Sequence, residues 1–320
     1  MFFQTAGIEV SPWVPPLVAF VISFFTSMGG VSGAFLLLPF QMTFLGYTNP
    51  SVSATNQLFN VVAIPSGVYR YFREGRMIWP LTAIVIVGTL PGVFIGAVVR
   101  VAWLPDPRHF KLFAACVLLY IGAKMVRELL GRNSGQGARA DSEKRFQEMV
   151  RRHGASAGGS ETPDKGAIKP VQVTHFSLKR LGYTFYDESF DVSFLGIFSL
   201  SFIVGIVGGI YGIGGGSIIA PFFVTVFGLP VYTVAGAALM GTFVTSVAGV
   251  VFYQAIAPFY PAMSVAPDWM LGLLFGAGGM AGMYLGARCQ KFVPAAKIKW
   301  MLAAILVITA LKYAADFLGY

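Results

Sequence analysis

Two clusters of glycine and hydroxyl residues are places where backbone could bind an ion: Gly30, Ser32 and Gly33, and then Gly212, Gly214, Gly215, Gly216 and Ser217. Each interrupts an apolar run and is followed by a proline, Pro39 or Pro221. Each therefore reads as a break or re-entrant turn between two helix pieces, tolerable in a membrane only where protein or water can satisfy the backbone. The start of a helix piece exposes unpaired N–H groups and the positive end of its dipole, which suits an anion. The plainer alternative is that the glycines only permit tight turns and packing. A second layer of uncharged polar residues follows each break: Thr55, Asn56, Gln57 and Asn60, then Thr242, Thr245 and Ser246. Asn56 and Asn60 share a helical face. Amides and hydroxyls can hold anion oxygens without a bound proton, or can serve as hydrogen bonds between helices.

The missing chemistry narrows the reading. Glu9, Glu74, Asp106, Asp268 and Asp316 all fall at the ends of apolar runs or in connections. Proton and cation carriers commonly place carboxylates inside the membrane, so the pattern leans toward an anionic or neutral solute, with the coupling ion left open. The three histidines, His109, His153 and His175, lie in connections or polar sequence, and no catalytic constellation is recognisable, so no enzyme and no catalytic residue is expected. The stretch GIGGGS lacks the GK[ST] ending of a phosphate loop and lies between apolar segments, so no cofactor is expected. Cys116 and Cys289 form no metal-binding pattern, and no metal is expected.

The elements that must position these residues are membrane helices. The chain has 320 residues, 56% hydrophobic and 12% charged, against about 25% charged in a soluble domain. Apolar runs cover 14–45, 52–69, 79–103 and 110–126, then 190–207, 217–227, 231–253, 269–287 and 298–310. The longer ones meet the roughly 20 residues a helix needs to cross the hydrocarbon. The runs form two copies. A shift of 182 places Gly30 on Gly212, Gly33 on Gly215, Pro39 on Pro221, Gly46 on Gly228 and Gly67 on Gly249. A shift of 190 places Trp79 on Trp269 and Gly88, Gly92 and Gly96 on Gly278, Gly282 and Gly286. Glycine at every fourth residue makes a smooth stripe for close helix packing. These patterns, with the placement of charge and an odd number of crossings in each half, predict an all-α polytopic membrane protein of two homologous, inverted repeats with broken helices. They also predict that Gly215→Ala would cost function but not stability, and Gly282→Ala both.

Charge follows membrane topology. Of 23 Lys and Arg and 14 Asp and Glu, residues 127–191 hold 11 and 9, leaving 12 and 5 for the rest. Arg70, Arg73 and Arg76, then Arg127, and later Arg288, Lys291, Lys297 and Lys299 mark cytoplasmic connections. Both termini then lie outside; Arg100, Arg108 and Lys111 break the rule. The scattered bases form no continuous groove, so no nucleic-acid partner is expected. The expected organisation is a first transmembrane repeat over 1–127, a cytoplasmic polar linker with a small hairpin over 128–189, and a second repeat over 190–320, in a bacterial inner membrane. The linker is either an inert tether or a surface for a cytoplasmic partner. The glycine stripes serve either intramolecular packing or a homo-oligomer.

The segments GGVSGAFLLLP and GIGGGSIIAP, with ATNQLFNV and GTLPGVFIGA, resemble the sulfite exporter TauE/SafE family of permeases. The second copy matches the family pattern GxGGGxxxxP closely, whereas Ser32 and Ala34 replace glycines in the first. The resemblance implies transport of sulfite, sulfonates or related small anions, often outward; composition and spacing point only to an anion-leaning transporter. The alternatives are an exporter of another small metabolite or a metal ion, and a membrane scaffold that transports nothing.

Overall fold

The computed structural model describes residues 1–29, 32–73, 77–130, 171–177, 179–185, 188–229, 231–289 and 295–319. Gly30, Arg76, Lys291 and most of the expected linker lie outside the described residues.

Helix α1, Val14–Gly29, opens with Pro15 and Pro16 in its first turn, where a missing N–H costs nothing. It stops in the first glycine cluster, and α2, Ala34–Thr43, continues beyond the break. At 16 and 10 residues neither helix alone has the roughly 20 residues of a full span. Gly46 (φ +68°) terminates α2, with Phe44 N–H donating to the Phe40 carbonyl. The aligned Gly228 (φ +67°) ends its counterpart with the same Phe227-to-Phe223 bond. The expected run 52–69 is two helices, α3, Ser51–Ala63, and α4, Pro65–Arg73. Pro65 offers no N–H to continue the ladder; the residue 182 positions later is Val247, and the matching helix is unbroken.

Helices α5, Trp79–Ala102, and α6, Pro107–Leu130, complete the first half. Asp106 caps α6: Arg108 N–H and the His109 ring hold its carboxyl below the usual carboxylate range. The expected hairpin is instead three antiparallel strands, β3 (Val171–Phe176), β4 (Arg180–Phe185) and β5 (Glu188–Ser193). Ser193 ends β5 and caps α7, Phe194–Tyr211, by accepting from Gly196 N–H at 3.2 Å. After the second break come α8, Gly216–Val226, α9, Val231–Ile256, α10, Trp269–Cys289, and α11, Ala295–Leu318. Six of these helices are long and apolar enough to cross a membrane. A further pair of short strands, β1 (Phe2–Phe3) and β2 (Ile8–Glu9), precedes α1 and buries Phe3, Ala6 and Ile8.

Both glycine stripes are contact seams, and each joins one half to the other. Gly88 lies against Phe198 and Ser201, Gly92 against Phe202 and Ile206, and Gly96 against Ile206 and Ile210, so α5 and α7 run parallel. In the same way Gly278, Gly282 and Gly286 meet Pro16, Phe20 and Phe24, so α10 runs parallel to α1. Gly272 against Leu58 and Gly276 against Val62 align α10 with α3. Phe94 against Phe252 and Gly241 against Val85 align α5 with α9. Helices α3 and α9 are antiparallel: Gln57 lies beside Gly249 and, ten residues on at the start of α4, Gly67 lies beside Leu239, ten residues earlier. The α6 and α11 pair is antiparallel too, closed by Arg108 donating to the Phe317 carbonyl and by Lys111 to Asp316 at 3.0 Å. Those local partners account for two of the three bases that the charge rule left unexplained.

Candidate solute-binding site

Every one of the first ten residues of α3 is buried, and helical spacing sets Ser53, Asn56, Gln57 and Asn60 on one stripe at i, i+3, i+4 and i+7. That stripe faces the end of α7. Ser53 Oγ donates to the Ile210 carbonyl at 2.9 Å, Asn56 Nδ2 to the Gly212 carbonyl at 3.1 Å, and Asn60 Nδ2 to the Ile213 carbonyl at 2.9 Å. The Ile210 and Gly212 carbonyls are orphans of the helix C-terminus and that of Ile213 follows it, where Gly212 turns left-handed at φ +82°. Asn56 Nδ2 also reaches the Ala34 carbonyl at 3.1 Å, at the start of α2, and its Oδ1 accepts from Gln41 Nε2 at 3.4 Å. One amide therefore braces both breaks. Tyr211 OH adds a second brace to the Phe35 carbonyl at 3.0 Å.

The remaining second-half candidates line the other side of the same break. Gly215 N–H donates to Thr245 Oγ1 at 3.3 Å. Gly216 lies against the Ala238 carbonyl and Thr242, and Gly214 (φ +71°) lies against Ser246. In the first half Ser32 Oγ accepts from Ala34 N–H at 3.3 Å, and Gly33 packs on Ser23, Thr26 and Phe59. Thr55 is not brought to the stripe: its hydroxyl meets Tyr47 OH at 2.8 Å and accepts from Asp268 N–H at 2.9 Å. Gly30 lies outside the described residues, as does the side chain of Ser217.

The expectation for Gly215→Ala changes with this geometry. Gly215 has φ −63°, so the left-handed positions are Gly212 and Gly214. A methyl at Gly215 would sit 2.7 Å from Thr89 Cγ2 and 2.8 Å from Thr89 Cβ. It would press on protein, so the substitution costs stability through overpacking.

Several buried polar atoms here make no hydrogen bond to protein: both amide atoms of Gln57, Asn60 Oδ1, Gln41 Oε1 and Ser246 Oγ. Polar groups deprived of partners cost about 1–3 kcal/mol each, so these are atoms with capacity for a polar solute or water. The set is uncharged. The nearby Asp268 is occupied, accepting Ala6 N–H at 3.2 Å and Leu271 N–H at 3.0 Å. Sequence reasoning missed Gln41, Ser53, Tyr211 and Tyr253, whose hydroxyl donates to the Gly209 carbonyl at 3.1 Å. The available signal was Gln41, a lone amide two residues beyond Pro39 in an otherwise apolar piece.

Two curated proteins of Bacillus subtilis (strain 168) are similar to this chain. "Probable membrane transporter protein YdhB" is 26% identical over 115 residues, covering 36% of this chain and 44% of that protein. "Probable membrane transporter protein YunE" is 26% identical over 151 residues, covering 45% and 50%. The chain thus spans about half the length of each. No solved structure matches. The glycine breaks, six apolar helices and these likenesses agree with the match of residues 16–313 to the model described as sulfite exporter TauE/SafE, the family of membrane transporters to which this chain belongs.

Proposed function

We propose that the protein is a secondary transporter of small sulfur-containing anions, sulfite or sulfonates, which pass along the α3 stripe where the two helix breaks meet. The observation that carries the reading is Asn56, a buried amide bonded to both breaks beside amide and hydroxyl groups that make no bond to protein. Such a site can change its partners as a solute enters without moving a proton. The sulfur anion is supported by the family description alone.

The same proposal takes the halves to be inverted repeats. Helices α1, α3 and α10 run one way and α5, α7 and α9 the other, so α1 opposes its counterpart α7, α3 opposes α9 and α5 opposes α10. Alternating access by rocking one repeat on the other would use this symmetry. The basic connections set the face carrying β3–β5 as cytoplasmic, with residues 128–189 a linker between the repeats.

Flux in proteoliposomes against sulfite, sulfoacetate, taurine, sulfate and chloride tests the reading. Saturable movement of sulfite or sulfoacetate, faster than chloride, is the expected result. Movement of none of the anions above protein-free vesicles would overturn it.

A further inference from the structure

Arg100, near the end of α5, is a fully buried cation, and with Asp268 it makes up the charged residues buried among those described. Its guanidinium is held by neutral acceptors alone. Nε donates to Ser53 Oγ at 3.3 Å, Nη2 to the Thr48 carbonyl at 3.2 Å and Nη1 to the Leu104 carbonyl. The Phe110 ring covers one face of the guanidinium at 3.7 Å. None of the ion pairs among the described residues involves Arg100.

A buried guanidinium without a carboxylate is costly, and a membrane setting raises that cost. Tying loop carbonyls together does not require a charge, since a neutral amide can donate the same bonds. Three of the five N–H groups are used in these bonds. The side chain also sits at the head of the α3 stripe, because its Nε partner, Ser53, is the first member of the series that continues to Asn56, Gln57 and Asn60.

We propose that Arg100 is an anion-binding residue at that end of the path, taking the oxygens of a small oxyanion in its planar fork and releasing the Thr48 and Leu104 carbonyls as it does so. The fork matches a pair of oxygens on one sulfur or carbon atom. Exchange of carbonyls for the anion would loosen the loop after α2 from the end of α5, coupling occupancy to opening of that face. This rests on the anion reading above. It adds a charged residue to a site otherwise built of neutral groups.

Full-length wild type, Arg100→Gln and Arg100→Lys would be compared in proteoliposomes with sulfite as the probe, with flux normalised to monodisperse protein. The thermal midpoint of each would be measured with and without sulfite. The expected result is a KM about ten- to hundred-fold higher in Arg100→Gln, the loss of a bond to a charged group, with a smaller rise in Arg100→Lys, which keeps the charge but not the fork. Sulfite should raise the midpoint of wild type and not that of Arg100→Gln. Wild-type KM in Arg100→Gln would overturn the proposal and leave Arg100 a clamp on carbonyls. Should that variant fail to fold, wild-type KM and midpoint shift in Arg100→Lys would overturn it equally. Absence of saturable flux of sulfite and of every other anion in the panel above from wild type itself would instead bring down the anion reading, and this proposal with it.

Discussion

Asn56→Ala is expected to abolish transport and to lower stability by about 2–5 kcal/mol, taking about 0.6–1.7 kcal/mol for each hydrogen bond between membrane helices. Three bonds disappear together: those to the Ala34 and Gly212 carbonyls and the one from Gln41. They connect the first break, the second break and α2 through one side chain, so the loss should loosen both breaks. Unfolding midpoint and initial flux on the same preparation check this. An unchanged midpoint would mean that the two breaks are held elsewhere. Asn60→Ala, which removes a single bond to the Ile213 carbonyl, should fall much closer to wild type in stability.

Gly92→Ala and Gly282→Ala should each destabilise the fold by about 3 kcal/mol, at the upper end for overpacking. A methyl at Gly92 would run into the Phe202 carbonyl and lie 2.8 Å from Ile206 N; at Gly282 it would run into the Phe20 carbonyl and lie 3.0 Å from Phe20 Cα. These neighbours are helix backbone, which cannot rotate aside, so the helices must separate along the seam. Gly67→Ala is the contrast. Its methyl would meet Leu239 Cδ1 at an ordinary 3.6 Å, and alanine in a helix gains up to about 1 kcal/mol over glycine. Equal losses at Gly67 and Gly92 in a denaturation series would show that the stripes are not tight seams.

The seams were legible in the sequence because glycine at every fourth residue has one main physical use between helices. The second break was legible for a similar reason: Gly212 and Gly214 adopt the left-handed backbone that glycine alone enters freely. What the stripes touch was not legible. Spacing within α5 says that some helix approaches closely, but not that it is α7 of the other half.

The roles of Asn56 and Asn60 were hidden for the same reason, since their carbonyl partners Gly212 and Ile213 are more than 150 residues away. Read locally, these amides suggested solute ligands; in the fold their N–H groups hold a helix end, and the free capacity moves to Gln57 and Asn60 Oδ1. Arg100 looked like a violation of the charge rule, because nothing nearby in sequence signals that Thr48, Ser53 and Phe110 will enclose it. The third strand, Glu188–Ser193, escaped because only Phe190 and Val192 mark its short alternation, which matters only beside β4.

Gln57 shows whether the α3 stripe carries the solute. Its side chain is fully buried, and both amide atoms lack a protein partner, so the fold gains little from them. The measurement is sulfite flux and unfolding midpoint for Gln57→Met on one preparation, methionine keeping the length of the side chain without its polar atoms. The expected midpoint is equal to or above that of wild type. Flux is expected to fall at least about tenfold, the effect of one lost bond to a charged solute. A raised midpoint with wild-type flux would place the path away from α3.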